Sequence, residues 1–182
     1  MEKYKFRTYL KHRRSSKGRH SIHSPFLYNM YNTCVVKSNF KGDTFKSDNE
    51  FGKRQAKKAH FIKCFIDNTK IKTATAIDNN CKYLLHYINE EDILPNQQSK
   101  KTLSIIDAQN PTLTSHNNIS DFLLKYGKDF IFVDRIHENK DATSNWKLLK
   151  NAEEVTISIS FYHFGLISTN TDFTKQDFVL RF

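Results

Sequence analysis

The sequence predicts an α/β protein, with a mostly parallel β-sheet, antiparallel C-terminal strands and a helical N-terminal extension. Two observations lead to this prediction. Short apolar strand-like segments alternate with amphipathic helical segments from about residue 72 to 160, which is typical of βαβ units. The last strand-like segments follow one another with no room for a crossover helix, so at least one must run antiparallel. We place the extension at 1–70 and the α/β domain at 71–182.

The helical extension is predicted from a capping signal and an apolar stripe. Ser24 is a suitable N-cap, and Pro25 then falls at the first helical position, where its missing N–H costs nothing. Apolar residues follow with a helical period from Phe26 to Val35. A second helix is predicted over about 54–67.

The elements of the α/β domain are predicted in chain order from alternating buried and amphipathic segments. Two of the strands end at an aspartate, and a glycine at position 127 is expected to stop the helix between them. The predicted strands are 73–77, 102–106, 130–133, 155–159, 164–168 and 178–182. The predicted helices are 81–91, 121–126 and 141–150, and a turn or cap falls at 78–80.

Composition limits the class of protein. The chain has 182 residues and a net charge of +10, and its 15 Phe and 8 Tyr are enough to build a core, which argues against disorder. No apolar run approaches the roughly 20 residues that span a bilayer, and none at the N-terminus has signal-peptide length. The three cysteines are far apart, so we expect no disulfide framework and favour a reducing cytoplasm.

The positive charge is concentrated near the N-terminus. Residues 1–72 hold 18 Lys and Arg against 5 Asp and Glu, and residues 73–182 hold 11 against 14. Such an asymmetry is typical of an arm that contacts phosphate, so residues 1–20 are candidates to bind nucleic acid or an anionic surface. The alternative interpretation is a solubilising terminus. The sequence indicates no particular acceptor substrate and no oligomeric state.

Three segments carry a resemblance to a known family. They are the N-terminal run from His20 to Phe26 (HSIHSPF), the run Val133–His137 after a strand, and the C-terminal part from Val155 to Phe182. In this order and spacing the chain resembles a bacterial family of class I S-adenosylmethionine-dependent methyltransferases with an N-terminal HSPF motif. The similarity covers about residues 15–36 and 128–182, and the middle more loosely.

The resemblance implies a Rossmann-like sheet and a site at its carboxyl edge. In that family S-adenosylmethionine lies across the carboxyl ends of the first strands. The acid ending the second strand would hold the ribose, the turn after the first strand would line the methionine end, and the segment after the third strand would face the acceptor. The candidate residues are Asp78, Asn79, Asn80 and Asp107 for cofactor binding, and Asp134 and His137 for catalysis.

The chain departs from the family pattern at the cofactor turn. The family has a glycine-rich turn there, whereas this chain has no glycine between residues 53 and 126. Side chains in that turn crowd a ligand that glycine would admit. In addition, Ile77 and Ile131 are 54 positions apart, which holds roughly two βαβ units where a full domain needs about four. We therefore expect a shortened, diverged member with a reduced sheet and weakened or lost cofactor binding.

Two alternatives remain open from the sequence. The chain is either methyltransferase-like, and a methyltransferase if active, or a non-catalytic module that binds nucleic acid or protein through its basic N-terminal region. Arg135 replaces a family acid, which disfavours a metal site and favours an Asp–Arg pair.

Overall fold

The computed structural model describes residues 2–18, 22–36, 50–85, 101–114, 116–127 and 129–182. Within these ranges the chain forms one six-stranded sheet with helices on both faces, which confirms the predicted α/β class. The strands are β1 Thr73–Ala76, β2 Thr102–Asp107, β3 Phe130–Asp134, β4 Ile157–Ser160, β5 Phe164–Ser168 and β6 Gln176–Val179. The helices are α1 Glu2–Ser15, α2 Pro25–Tyr31, α3 Glu50–Thr69, α4 Lys82–Leu85, α5 His116–Tyr126 and α6 Lys140–Asn151.

The sheet has the order β1-β2-β3-β5-β4-β6. The first three strands are parallel, and β5 runs antiparallel to both of its neighbours, β3 and β4. The last strand, β6, is parallel to β4. The expectation of antiparallel C-terminal strands is therefore right for β5 and wrong for β6, because the chain reverses direction again after β5 and passes to the far side of β4.

The N-terminal helices begin as the capping signal predicts. Ser24 is the N-cap of α2, where its Oγ accepts a hydrogen bond from the Leu27 N–H at 3.5 Å, and Pro25 is the first helical residue. A π-helical turn, Asn32–Val36, continues α2. Residues 2–18 of the basic N-terminal segment are described, and most of them form helix α1.

Two hydrophobic clusters cover the two faces of the sheet. On one face α2 and α3 supply Leu27, Phe61 and Phe65, which pack with Phe130 and Phe132 of β3. On the other face α5 and α6 pack against alternate residues of the same strands. The helices of residues 22–69 are therefore part of the same core as the sheet.

Several predicted boundaries differ from those in the structure. Helix α5 begins at His116 rather than 121, because Ile119 joins Phe122 on its buried face. Strand β6 ends at Val179 rather than 182, because its pairing with β4 ends there and Leu180 forms a separate bridge to Lys17. After β1, a 3-10 turn at Asn79–Cys81 leads into α4, and the predicted continuation over 86–91 falls outside the described residues.

No helix in the described ranges combines the length and the apolar character needed to cross a bilayer.

Gly165 provides the first test of the packing. It lies in β5 directly against the ring of Trp146 of α6, and a Cβ at this position would overlap that ring. We expect Gly165→Ala to lower the free energy of unfolding by about 1–3 kcal/mol, because a well-packed core has no space for the methyl group. Urea unfolding followed by circular dichroism measures this change.

Gly18→Ala is the matched control for that substitution. A Cβ at Gly18 has no heavy atom within 4 Å, and neither glycine has a positive φ. An equal loss of stability in the two variants would contradict the packing argument.

Candidate ligand-binding cleft

A cleft of about 520 Å³ lies at the carboxyl edge of the sheet. Its floor comes from segments that follow strand ends: the turn after β1, residues 135–138 after β3, and the turn joining β4 to β5. Helices α1 and α3 form the opposite wall. Since the carboxyl ends of parallel strands meet at one edge, this is where such sheets commonly bind ligands.

Asp134 lies beneath the cleft and holds two of its lining side chains. The carboxylate is fully buried, and it accepts hydrogen bonds from Lys58 Nζ at 2.6 Å and from the Tyr83 hydroxyl at 2.6 Å. Burial first, and then the neighbouring Asp134, raises the pKa of Tyr83. The phenol therefore stays protonated at neutral pH and donates to the carboxylate.

Two further cations that line the cleft are also paired with acids. Arg135 forms an ion pair with the buried Asp107, so the Asp–Arg pair that the sequence favours is present, with an aspartate that the sequence alone does not identify. Lys5 of α1 pairs with Glu138. Together with Lys58 and Asp134, these pairs compensate most of the positive charge inside the cleft.

Two histidines of the cleft, His137 and His163, have strongly lowered basicity. Burial is the main cause and neighbouring positive or protonatable groups are the second, and together they lower the pKa of each to about 4. Both side chains are therefore neutral at pH 7. A group with a pKa this low is a weak general base at neutral pH, because catalytic bases work best near the operating pH.

The tautomer of His137 follows from its neighbour. Its Nδ1 lies 3.1 Å from Thr143 Oγ1, and that hydroxyl itself donates to a backbone carbonyl of Ile136 or Asn139. The hydroxyl must then accept from Nδ1–H, which leaves Nε2 with its lone pair.

Helix α1 is fastened to the cleft by polar contacts and rings. The Tyr162 hydroxyl donates to the Lys5 carbonyl oxygen at 2.8 Å, and the rings of Tyr9 and Tyr162 meet edge to face with centroids 5.2 Å apart. His12 Nε2 lies 3.2 Å from the Ser160 carbonyl oxygen. Burial lowers the pKa of His12, so the neutral ring donates this bond from Nε2–H.

Two residues that line the cleft have a left-handed backbone. Arg135 has a φ of 56° and Tyr162 has a φ of 68°. Tyr162 is the central residue of a tight turn in which the His163 N–H donates to the Phe161 carbonyl oxygen at 2.9 Å.

The outer surface of α1 is strongly basic. Arg7, Lys11 and Arg14 are exposed and lie on one face of the helix, along a shallow groove next to the cleft. Among the residues that the structure describes, no acid pairs with these three side chains.

The six candidate residues that the sequence suggests lie in different places in the structure. Asn80 and His137 line the cleft, and Asp134 lies beneath it. Asp78, Asn79 and Asp107 are not among the lining residues. Asp134 and His137 bond to different partners, and their assignment to catalysis stays a prediction.

Asp78 is engaged within the chain. Its Oδ1 accepts from the Cys81 N–H at 3.1 Å, and its Oδ2 accepts from the Asp107 N–H at 2.9 Å and from Asn110 Nδ2 at 3.3 Å. The predicted cap at this position is therefore present. The assignment of Asp78, Asn79, Asn80 and Asp107 to a cofactor stays a prediction.

Several residues of the cleft are not found by sequence reasoning. Lys58, Tyr83, Tyr162 and His163 lie in segments whose pattern indicates only a helix or a turn. In the described part of the chain, no three His, Cys, Asp or Glu side chains are grouped so that they could hold a metal ion.

Comparison with known proteins adds no relative: no family model, no curated protein and no solved structure matches this chain.

Proposed function

We propose that this chain is a class I methyltransferase-like protein in which binding of S-adenosylmethionine is weakened or lost. The observation that carries the proposal is the turn after β1, at Asp78–Asn80. Its aspartate bonds to the backbone of Cys81 and of Asp107, so the chain itself occupies both carboxylate oxygens of Asp78. The turn has no glycine that would let a ligand approach the backbone closely.

The acid expected to hold the ribose is occupied as well. Asp107 is 1% exposed, and its two oxygens accept from the Gln109 N–H and from Arg135. A ribose that took this position would displace Arg135 from the buried carboxylate, which would then lose its neutralising cation.

The sheet itself supports the same proposal. Among the described residues, β1 is an edge strand with β2 as its only neighbour. Dinucleotide-type sites form where strands on both sides of the crevice carry helices to opposite faces. A β1 with one neighbour provides only one side of such a crevice.

Calorimetry with S-adenosylmethionine or S-adenosylhomocysteine tests this proposal. We expect no saturable heat at a protein concentration of about 100 μM, because a ligand that must break these contacts binds at millimolar strength or weaker. A dissociation constant below about 10 μM, which corresponds to about −7 kcal/mol, would show that the cofactor site is intact.

A second candidate function is favoured by the exposed basic face of α1. We propose that this face binds a polyanion, as a non-catalytic module would. Arg7, Lys11 and Arg14, which have no acidic partner within the described ranges, support it. Binding of a short oligonucleotide should weaken steeply as salt rises, because phosphate contacts release counterions. A salt-independent or absent signal contradicts this candidate.

A further inference from the structure

We propose that the cleft and α1 together bind single-stranded nucleic acid, with the phosphate backbone along the outer face of α1 and a base inside the cleft. This inference rests on the second candidate function, and it specifies the form of the polyanion and the residues that recognise it.

The distribution of compensated and uncompensated charge is the first argument. Inside the cleft, Lys58 and Arg135 are neutralised by buried carboxylates. Outside it, Arg7, Lys11 and Arg14 have no acidic partner among the described residues. A nucleotide has the same division, with a charged phosphate on one side and a neutral, flat base on the other.

The outer cations have a spacing that suits a strand. Arg7, Lys11 and Arg14 are at positions i, i+4 and i+7, so they form one stripe that spans about 10 Å along the helix axis. Leu10 lies between them in the same groove. A stripe of this kind follows a backbone without reading its sequence.

Two aromatic rings lie between this stripe and the cleft. Phe6 is 62% exposed and Tyr9 is 41% exposed, and both line the cleft. They are on the same helix as the cations, directly before Arg7 and Leu10. Exposed rings beside a basic groove are the stacking platforms of proteins that bind single strands.

The cleft itself suits a base. Its volume of about 520 Å³ is within the range of small-ligand sites, and Tyr83 and Tyr162 supply flat walls. Gln55, Asn80 and His163 also line it and carry the donors and acceptors that can bond to the edge of a base.

A single strand fits these features better than a duplex or a membrane. A base paired within a duplex is stacked and cannot enter a cleft without being flipped out. A membrane-binding helix needs a free apolar face. The inward face of α1 instead rests on the protein through the buried His12.

Fluorescence anisotropy with labelled oligonucleotides of about 12 nucleotides tests the proposal, since such single strands cover a typical site. Four probes are compared: a single strand, the same strand with abasic sites, the matching duplex, and vesicles of anionic lipid. We expect the ordinary single strand to bind most tightly and its affinity to fall with salt.

The variants separate stacking from charge. Phe6→Ala should weaken binding of the ordinary single strand by about fivefold or more and leave binding of the abasic strand unchanged, because only a base can stack on the ring. Replacing Arg7, Lys11 and Arg14 by Gln should weaken both strands and reduce the slope of log K against log salt by about 2.

Matched controls lie away from the cleft. Leu124 of α5 is 78% exposed, so Leu124→Ala removes a similarly exposed apolar side chain. Replacing the exposed Lys72, Lys101 and Lys125 by Gln removes the same charge near the amino edge of the sheet. Neither control should change the affinity for the single strand by more than about twofold.

The outcomes distinguish this inference from the function on which it rests. Equal affinity for ordinary strand, abasic strand and duplex would overturn base recognition and leave a general polyanion-binding face. Vesicle binding without oligonucleotide binding, or no salt-dependent binding of any oligonucleotide, would overturn both.

Discussion

Replacing Lys58 by methionine should lower the free energy of unfolding by about 3–5 kcal/mol, which is the usual cost of removing one partner of a buried ion pair. Lys58 is 7% exposed and Asp134 is fully buried. Without the ammonium group, the carboxylate keeps only the Tyr83 hydroxyl as a described side-chain partner. The burial of an uncompensated charge is the cause of the loss.

Urea unfolding monitored by circular dichroism measures this effect, with Lys57→Met as the matched control. Lys57 is the preceding residue on α3 and is exposed, so its replacement should change the stability by less than about 0.5 kcal/mol. The double variant Lys58→Met/Asp134→Asn should recover part of the loss, because no buried charge then remains. Additive single losses in the double variant would show that the two groups do not interact.

Stability should fall by several kcal/mol between pH 6.5 and pH 4, because His137 and His163 stay neutral in the folded protein. Each has a pKa of about 4 when folded and about 6.5 when unfolded. In this window the unfolded chain binds more protons, so acid favours unfolding, by about 1.4 kcal/mol per pH unit for each histidine. Above pH 6.5 neither histidine contributes to the pH dependence.

The environment of these histidines supports the direction of the effect. Burial is the main cause for both, and most of the groups that face them are positive or protonatable. For His137 these groups are His12, His163, Lys147 and Lys150, and for His163 they are Lys58, Arg54 and His12, opposed by Glu138.

Urea titrations at several pH values between 4 and 8 measure this dependence. The slope of the unfolding free energy against pH gives the number of protons taken up on unfolding. His137→Gln and His163→Gln should each reduce that number by about one between pH 4 and 6.5. Leu124→Ala, which replaces a 78% exposed side chain that does not titrate, is the control for the effect of substitution itself and should leave the slope unchanged. A wild-type stability that is flat across this range would show that the two rings are protonated in the folded protein.

Local signals predict most of the fold correctly. The Ser24–Pro25 cap, and strands that end at Asp107 and Asp134, depend on neighbouring residues alone, and the structure confirms them.

The strand pairing at the C-terminus could not be read in the same way. The direction and end of β6 depend on its contacts with β4, nearly twenty residues earlier, and the apolar residues 178, 180 and 182 alone suggest a longer strand.

The candidate site was predicted less completely, because its key contacts join distant segments. Lys58 is on an amphipathic helix, where a lysine normally faces water, yet it bonds to Asp134, which is 76 residues later. Arg135 and Asp107 are 28 residues apart. The position of Phe6 and Tyr9 at the cleft depends on how α1 docks, and no local pattern encodes that docking.

The left-handed backbone of Tyr162 links the shape of the cleft to the stability of the protein. A bulky residue in this region stores about 1–3 kcal/mol of torsional energy, which the surrounding structure must offset. Glycine at this position would relax the turn and at the same time delete the hydroxyl that fastens α1 at Lys5. A glycine here would therefore remove the torsional strain of the turn but leave α1 less firmly attached at the entrance of the cleft. The strained tyrosine keeps that wall of the cleft in place before any ligand binds.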